Sequence, residues 1–251
     1  METKNRFWLN KLAAACLLLG AACQPALVPV PRPTPAVLTV QSTPALQPLG
    51  QAYSACAEEL ENTGLVLLET PAASIDLKKA ALALRWGMDA PGAGGLAADH
   101  ASVIGEEELV IIVHPQNPLN SIALPGLRAI YSGAQRDWTH STPPVEIQPW
   151  VYLDGDDSQG VFEAAVLKDQ KASARVVSLA PDPAAMREVV AASPAAIGFL
   201  PRRWLDGTVK AIPVDGLDSS GLRRPILAIS SAAPAGAAKN WLLCLQEKVS
   251  E

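Results

Sequence analysis

Side chains able to do chemistry are few in this chain, and most of their patterns exclude a reaction. Three histidines, His100, His114 and His140, are scattered without the spacing of metal ligands, so no metal site is expected. Serines are plentiful, but no Gly-x-Ser-x-Gly elbow occurs and no histidine lies in an activating context. The chain is therefore expected to be no enzyme and to need no cofactor. Two polar segments that open helices are more informative. Ser42 and Thr43 precede Pro44, and Asp154-Gly155-Asp156-Asp157-Ser158-Gln159 precedes an apolar helical run. The first N–H groups of a helix lack intrahelical partners and its dipole favours negative charge, so such a start can hold an anion. The same residues also suit simple capping: Ser or Thr before proline is a good N-cap, and Asp157 would cap a helix beginning at Ser158.

The elements that must position these segments alternate between short apolar runs and helical stretches, which indicates an α/β architecture. Strands are expected at 36–41, 64–68, 81–84 (closing at Trp86-Gly87), 145–152, 195–200, 209–214 and 225–229. The run 108–114, ELVIIVH, is the strongest strand, and its continuous apolar character suits burial on both faces. Helices are expected at 45–60, 75–80, 124–131, 158–167, 183–192 and 235–248, with a glycine-rich turn at Gly92–Gly95 and a loop at 115–123. No internal repeat is visible.

The N-terminus has a different character. Lys4, Arg6 and Lys11 precede an apolar stretch, Leu12 to Ala22, of signal-peptide length and too short for a membrane span. It ends in Gly20-Ala21-Ala22-Cys23, which resembles the lipobox of bacterial lipoproteins, although Gly20 stands where leucine is usual. The resemblance implies cleavage before Cys23 and acylation of its thiol. The alternative is an ordinary secretory signal cut near Ala22. Cys16 is a poorer candidate because little apolar segment precedes it. Two acyl chains give a stable anchor where one is marginal. The proline-dense stretch Gln24 to Ala36 cannot form a helix or a sheet interior, so residues 23–36 read as an extended, semi-rigid linker.

Cleavage would leave 229 of the 251 residues, enough for one well-buried domain or two small ones. Removing Glu2, Lys4, Arg6 and Lys11 with the leader would take the formal charge from −5 to −7. That balance argues against a nucleic-acid partner, and any anion would have to be captured by local donors. Cys56 and Cys244 remain, both in helical patterns. An oxidising compartment permits a disulfide between them, and two unpaired buried thiols are the alternative.

From His114 onward the order of features is that of a known family. The stretches VHPQNPLNSIALPGLRAIYSGAQRDW, SPAAIGFLPRRWL and GLRRPILAIS, with STPALQPL near the start, resemble the phosphate-type solute-binding proteins of ABC transporters over nearly all of residues 37–248. The resemblance implies a two-lobed type 2 periplasmic-binding-protein fold with a central cleft and two hinge strands. Lobe 1 would comprise 37–113 and 217–251, and lobe 2 114–216. The outgoing crossover would lie at Val110 to His114 and the return within Leu217 to Ile229. This arrangement would bring the Cys56 and Cys244 helices into one lobe.

By that resemblance, Ser42 and Thr43 match the family's first-lobe Ser/Thr loop. The second-lobe loop of the family reads acidic residue, then Gly-Ser-Gly-Thr-Arg, then a helix with Phe-Glu. Here Gly155 and Ser158 fit, with Phe162-Glu163 fixing the register. The usual Ser is Asp156, the second Gly is Asp157 and the Arg is Gln159, so two carboxylates stand where an anion would be cradled and the loop guanidinium is missing. Like charges at 4 Å repel by about 4 kcal/mol at an effective dielectric of 20. A fully ionised phosphate should bind poorly unless those carboxylates point away. Arg85 and Arg136 lie near loop ends within reach of a cleft, with surface placement as the default. Trp86, Trp138 and Trp204 read as packing residues, Trp86 being the one to face the cleft. The resemblance implies a monomeric lipid-anchored receptor that hands a small oxyanion to an ABC permease. A membrane-tethered sensor or adaptor with a changed or lost ligand is the alternative that the Asp-rich loop favours.

Overall fold

The computed structural model describes residues 34–87, 98–139, 142–168 and 170–250. Strand β1 (Ala36–Ser42) leads into a three-ten turn, Pro44–Leu49, and helix α1 (Gly50–Glu58). One continuous helix is expected there, but Pro48 falls inside it. Proline lacks the N–H and clashes with the carbonyl four residues back, so the α-helix starts only at Gly50. Strand β2 (Thr63–Glu69) follows, then a three-ten turn at Ala72–Ser74 and β3 (Leu82–Trp86). The short helix expected at 75–80 does not form. The Asp76 carboxylate accepts from the Lys78 N–H at 2.9 Å, and the Gln41 side chain accepts from the Asp76 N–H at 2.8 Å. Side chains that take up local N–H groups in this way compete with helix formation.

Strand β4 (His100–Val113) is fourteen residues long. The sequence points only to the run from Glu108 onward, because residues 100–107 are partly exposed and end in Glu106 and Glu107. The order then runs β5 (Ile122–Ala123), α2 (Leu124–Ser132), β6 (Gln148–Val151) and α3 (Asp157–Phe162), which continues as a π-helical turn, Glu163–Leu167. After it come β7 (Ser178–Leu179), α4 (Pro183–Ala192), β8 (Ala196–Pro201), β9 (Lys210–Ile212), β10 (Val214–Asp215), β11 (Arg223–Ser230) and α5 (Gly236–Ser250). Pro213 divides the single strand expected at 209–214 into β9 and β10. The glycine-rich turn at Gly92–Gly95 lies outside the described residues, as do the leader and Cys23.

Among the described residues the main sheet runs β2-β1-β3-β11-β4-β8-β6-β7, with β9 also on β4. Strand β4 is its spine. Residues 100–108 pair antiparallel with β11, whereas Leu109–Val113 pair with β8 and Ile111–Val113 with β9. Pairing therefore changes sheets between Glu108 and Leu109, and the chain comes back near Leu222, whose carbonyl accepts from the Leu109 N–H at 2.9 Å. Each half has its own parallel core, β1 between β2 and β3 in one and β6 between β7 and β8 in the other.

Buried aromatics fix the packing of both halves. Phe162 stacks on Phe199 with ring centroids 4.0 Å apart, flanked by Tyr131 and Tyr152. The indole N–H groups of Trp138, Trp204 and Trp241 donate to the carbonyls of Ala195, Ala45 and Tyr53, which meets the need of a buried indole for an acceptor. The Trp204 bond ties the segment after β8 to the turn after β1. Gly198 is needed for close packing, since a Cβ there would lie 2.5 Å from Met186 Sδ on α4.

Cys56 on α1 and Cys244 on α5 form a disulfide across a sequence separation of 188 residues. A bridge closing so long a loop restricts the unfolded chain strongly. Replacing both cysteines by serine is expected to cost about 2–5 kcal/mol, read as a lower urea midpoint. A reductant should lower the midpoint of the native chain but not of the double variant.

Candidate functional site

The site is built where two parallel strands end side by side. Ser42 pairs with Leu84 in the β1–β3 ladder, so Thr43 and the pair Arg85-Trp86 emerge together. The Thr43 N–H donates to the Leu84 carbonyl at 3.2 Å and fixes that turn. The carboxyl ends of strands in an α/β sheet are the usual position for a ligand. The N-terminus of α3, which comes from the other half of the chain, packs against this edge. Gly87 permits the approach: its φ is +81°, and a Cβ would lie 2.5 Å from Val161 Cγ2 and 3.3 Å from the Asp157 carbonyl oxygen.

One carboxylate collects the donors. Asp157 Oδ1 accepts from Arg85 Nε at 2.9 Å and Nη2 at 2.5 Å. Asp157 Oδ2 accepts from Thr43 Oγ1 at 2.9 Å and from the Trp86 N–H at 3.1 Å. The side chains of Asp157 and Arg85 are 1% and 8% exposed, so this ion pair is sealed from water. Three of its donors belong to side chains and one to the backbone, and all four lie on the β1–β3 edge.

The neighbouring residues have distinct roles. Asp156 is the N-cap of α3 and accepts from the N–H groups of Ser158 and Gln159 at 2.8 and 3.3 Å. Burial, reinforced by the Asp157 carboxylate, pushes its pKa up to about 6, against the lowering effect of those two N–H groups. Ser158 is fully buried; its hydroxyl makes no hydrogen bond of good geometry but lies close enough to the Asp156 carboxylate to favour its charge. The Gln159 side chain accepts from the Tyr152 N–H and donates to Glu163, a bracing role inside its own half.

Several expectations are corrected here. Thr43 occupies an N-cap position but makes no capping bond, because its hydroxyl is turned to Asp157. Asp157 does not cap α3, since Asp156 does. Ser42 is buried, with its hydroxyl 3.4 Å from the Tyr53 hydroxyl and not at the carboxylate. Gly155 is exposed in the preceding loop with φ +87°. Arg85, expected at the surface by default, is buried, and its guanidinium pairs with the Asp157 carboxylate. The signal was present: an arginine inside the otherwise apolar run LALRW must find an anion once that strand is buried. Arg136 does lie at the surface. Trp86, Trp138 and Trp204 are all buried; Trp86 offers the site its backbone N–H, while its indole donates to the Glu107 carbonyl at 3.2 Å. A cavity of about 340 Å³ lies elsewhere, at the crossover, lined by Glu108–Ile111, Arg202 and the β9–β10 segment. Among the described residues no cluster of His, Cys, Asp and Glu could hold a metal ion, and no helix is long and apolar enough to cross a membrane.

This arrangement is the two-lobed type 2 periplasmic-binding-protein fold, with two half-sheets joined by two strands around a cleft. Solved structures agree. A protein from Clostridium perfringens with bound phosphate, described as a candidate phosphate ABC-transporter substrate-binding protein, aligns with a TM-score of 0.68 at 17% identity, over 83% of this chain and 92% of its own. An ABC-type phosphate transport receptor from Vibrio cholerae aligns with a TM-score of 0.63 at 18% identity, over 84% and 93%. The regulatory domain of CcmR from Synechocystis PCC6803, in complex with 2-PG, aligns with a TM-score of 0.62 at 11% identity, over 85% and 97%. At such identities the likeness is one of fold. No protein-family model matches the chain, and no curated protein matches it.

Two predictions follow from the geometry. Arg85→Met should cost about 3–5 kcal/mol by leaving a buried carboxylate unpaired, and Arg85→Met combined with Asp157→Leu should recover most of that loss. Urea unfolding of the single and double variants measures the coupling. Asp156 has a folded-state pKa raised above its unfolded value, so the stability it contributes is full at low pH and is lost as pH rises through about 6. Asp156→Asn, which keeps the cap, should therefore raise stability at pH 7.5 by about 1–3 kcal/mol and change it little near pH 4. Melting curves of the two proteins across that range test the sign.

Proposed function

We propose that this protein is an extracytoplasmic, lipid-anchored solute-binding protein that takes a small oxyanion, phosphate or a relative of it, and presents it to an ABC importer. The observation that carries this reading is the convergence of the Thr43 hydroxyl, the Arg85 guanidinium and the Trp86 N–H on the two oxygens of a single anionic group between the halves. Four donors on one pair of oxygens form an oxyanion-binding set, and charge-assisted bonds of this kind are the strong ones. Ser158, buried beside Asp157, supports the reading with a hydroxyl from the other half. The fold shared with the two phosphate-transport proteins supports the ligand class. The leader, the Cys23 motif and the proline linker support export and tethering of a monomer by its lipidated N-terminus. In this reading lobe 1 is residues 35–108 with 222–250, and lobe 2 is 109–221, following the change of strand pairing.

One observation favours a second reading, a tethered sensor or adaptor of the same fold. The anion at the donors is the chain's own Asp157, not a solute.

Melting with added phosphate separates the two. Ligand at a hundredfold excess over its dissociation constant adds about 2.7 kcal/mol. The receptor reading expects a melting shift that rises with phosphate and is largely lost in Thr43→Val, which removes a donor while keeping shape. No shift with phosphate, sulfate or small carboxylates sinks it in favour of the sensor. Mass spectrometry of the mature N-terminus tests the anchor, and an unmodified Cys23 thiol overturns it.

A further inference from the structure

We propose that Asp157 is an internal ligand: its carboxylate occupies the oxyanion position of the cleft, closes the two halves on each other without solute, and competes with any anion that enters. This rests on the reading of Thr43, Arg85 and Trp86 as an oxyanion site. The argument is stereochemical. Each Asp157 oxygen receives two donors, Oδ1 from Arg85 Nε and Nη2, Oδ2 from Thr43 Oγ1 and the Trp86 N–H. Each of these four donor atoms is engaged by Asp157. All four donors stand on the β1–β3 edge, while Asp157 is the first residue of α3, so the bonds join segments on opposite sides of the cleft. The buried Ser158 hydroxyl is adjacent in sequence to the carboxylate, so a bulkier oxyanion with more acceptors that displaced Asp157 could take that hydroxyl together with the four donors.

The consequence is a competition. A tethered carboxylate is present at an effective concentration in the millimolar range or above. A solute must displace it, so the apparent dissociation constant is raised by the ratio of self-closed to free sites. The cleft can also be closed when it is empty of solute, so that closure by itself does not report loading.

The test uses the mature chain and inorganic phosphate, with Asp157→Gly as the variant. Titration calorimetry reads affinity, small-angle scattering reads closure, and circular dichroism confirms that the variant is folded. The expected result has two parts. Asp157→Gly binds phosphate at least tenfold more tightly than the native chain. It is also expanded without phosphate and compacts with it, whereas the native chain is compact in both conditions. Adding Thr43→Val to Asp157→Gly should abolish the gained affinity while leaving the expanded form. If the native chain binds phosphate and Asp157→Gly binds it equally or more weakly, the internal-ligand proposal is overturned and the oxyanion reading stands. If Asp157→Gly is folded and expanded but neither protein binds phosphate, sulfate or acetate, the oxyanion reading fails and Asp157 is only a strut between the halves, which overturns the proposal as well.

Discussion

The arrangement of the cleft depends on one buried charge pair. Arg85 and Asp157 are both withdrawn from water, and desolvating two ions costs several kcal/mol each. Their attraction offsets that cost only where geometry is good and the remaining hydrogen-bonding capacity is filled. Here it is filled, because Thr43 and the Trp86 N–H take the oxygen that Arg85 leaves free. The pair is thus a four-donor unit whose members are interdependent. Because its halves belong to opposite sides of the crossover, the unit couples local hydrogen bonding to the relative placement of two half-sheets.

The rest of the fold delivers the two sides to each other. On one side, the parallel register of β1 and β3 sets Thr43 beside Arg85, and the disulfide between α1 and α5 braces the helices packed behind that half. On the other, Asp156 caps α3 and fixes the direction of the first turn, so that Asp157 leads the helix toward Arg85. Gly87 removes the one Cβ that would block the approach. The crossover is also held by charge: Glu108 pairs with Arg202 at 2.9 Å and Glu107 with Arg203 at 3.1 Å, beside the point where β4 changes sheets. Trp204 donating to the Ala45 carbonyl adds a neutral tie between the halves.

The architecture was legible where periodicity was strong. The alternation of apolar runs and helices indicated α/β, and the ordered set of motifs indicated the two-lobed fold. What escaped were features whose stabilisation is tertiary. Residues 100–107 of β4 end in two glutamates and carry no continuous apolar run, and their place in the sheet comes from pairing with β11. Strands β5, β7 and β10 are two residues each and have no hydropathy signature. At the site, Thr43, Trp86 and Asp157 are named from sequence as ligand-binding candidates, but the bonds that join them to one another are not legible there. A threonine before proline looks like a cap whether or not its hydroxyl is drawn elsewhere. An aspartate at a helix start looks like a cap until another aspartate takes that position. Arg85 was the readable clue, since its strand is apolar on every other position and buried throughout.

Why a carboxylate at this position matters follows from what surrounds it. The chain carries a formal charge of −5, so no long-range field favours negative charge at the cleft and a carboxylate there depends on the donors in contact. Those donors form a fixed set on β1 and β3, and a set of that kind answers to whichever oxyanion reaches it at the highest effective concentration. A side chain on the opposing helix start needs no diffusion and gives up only its rotamer freedom on binding, far less than a free solute gives up in translation and rotation. The dipole of the helix that carries it favours its charge at the same time. An aspartate at the first residue of α3 is therefore the anionic group best placed to hold the donors of β1 and β3.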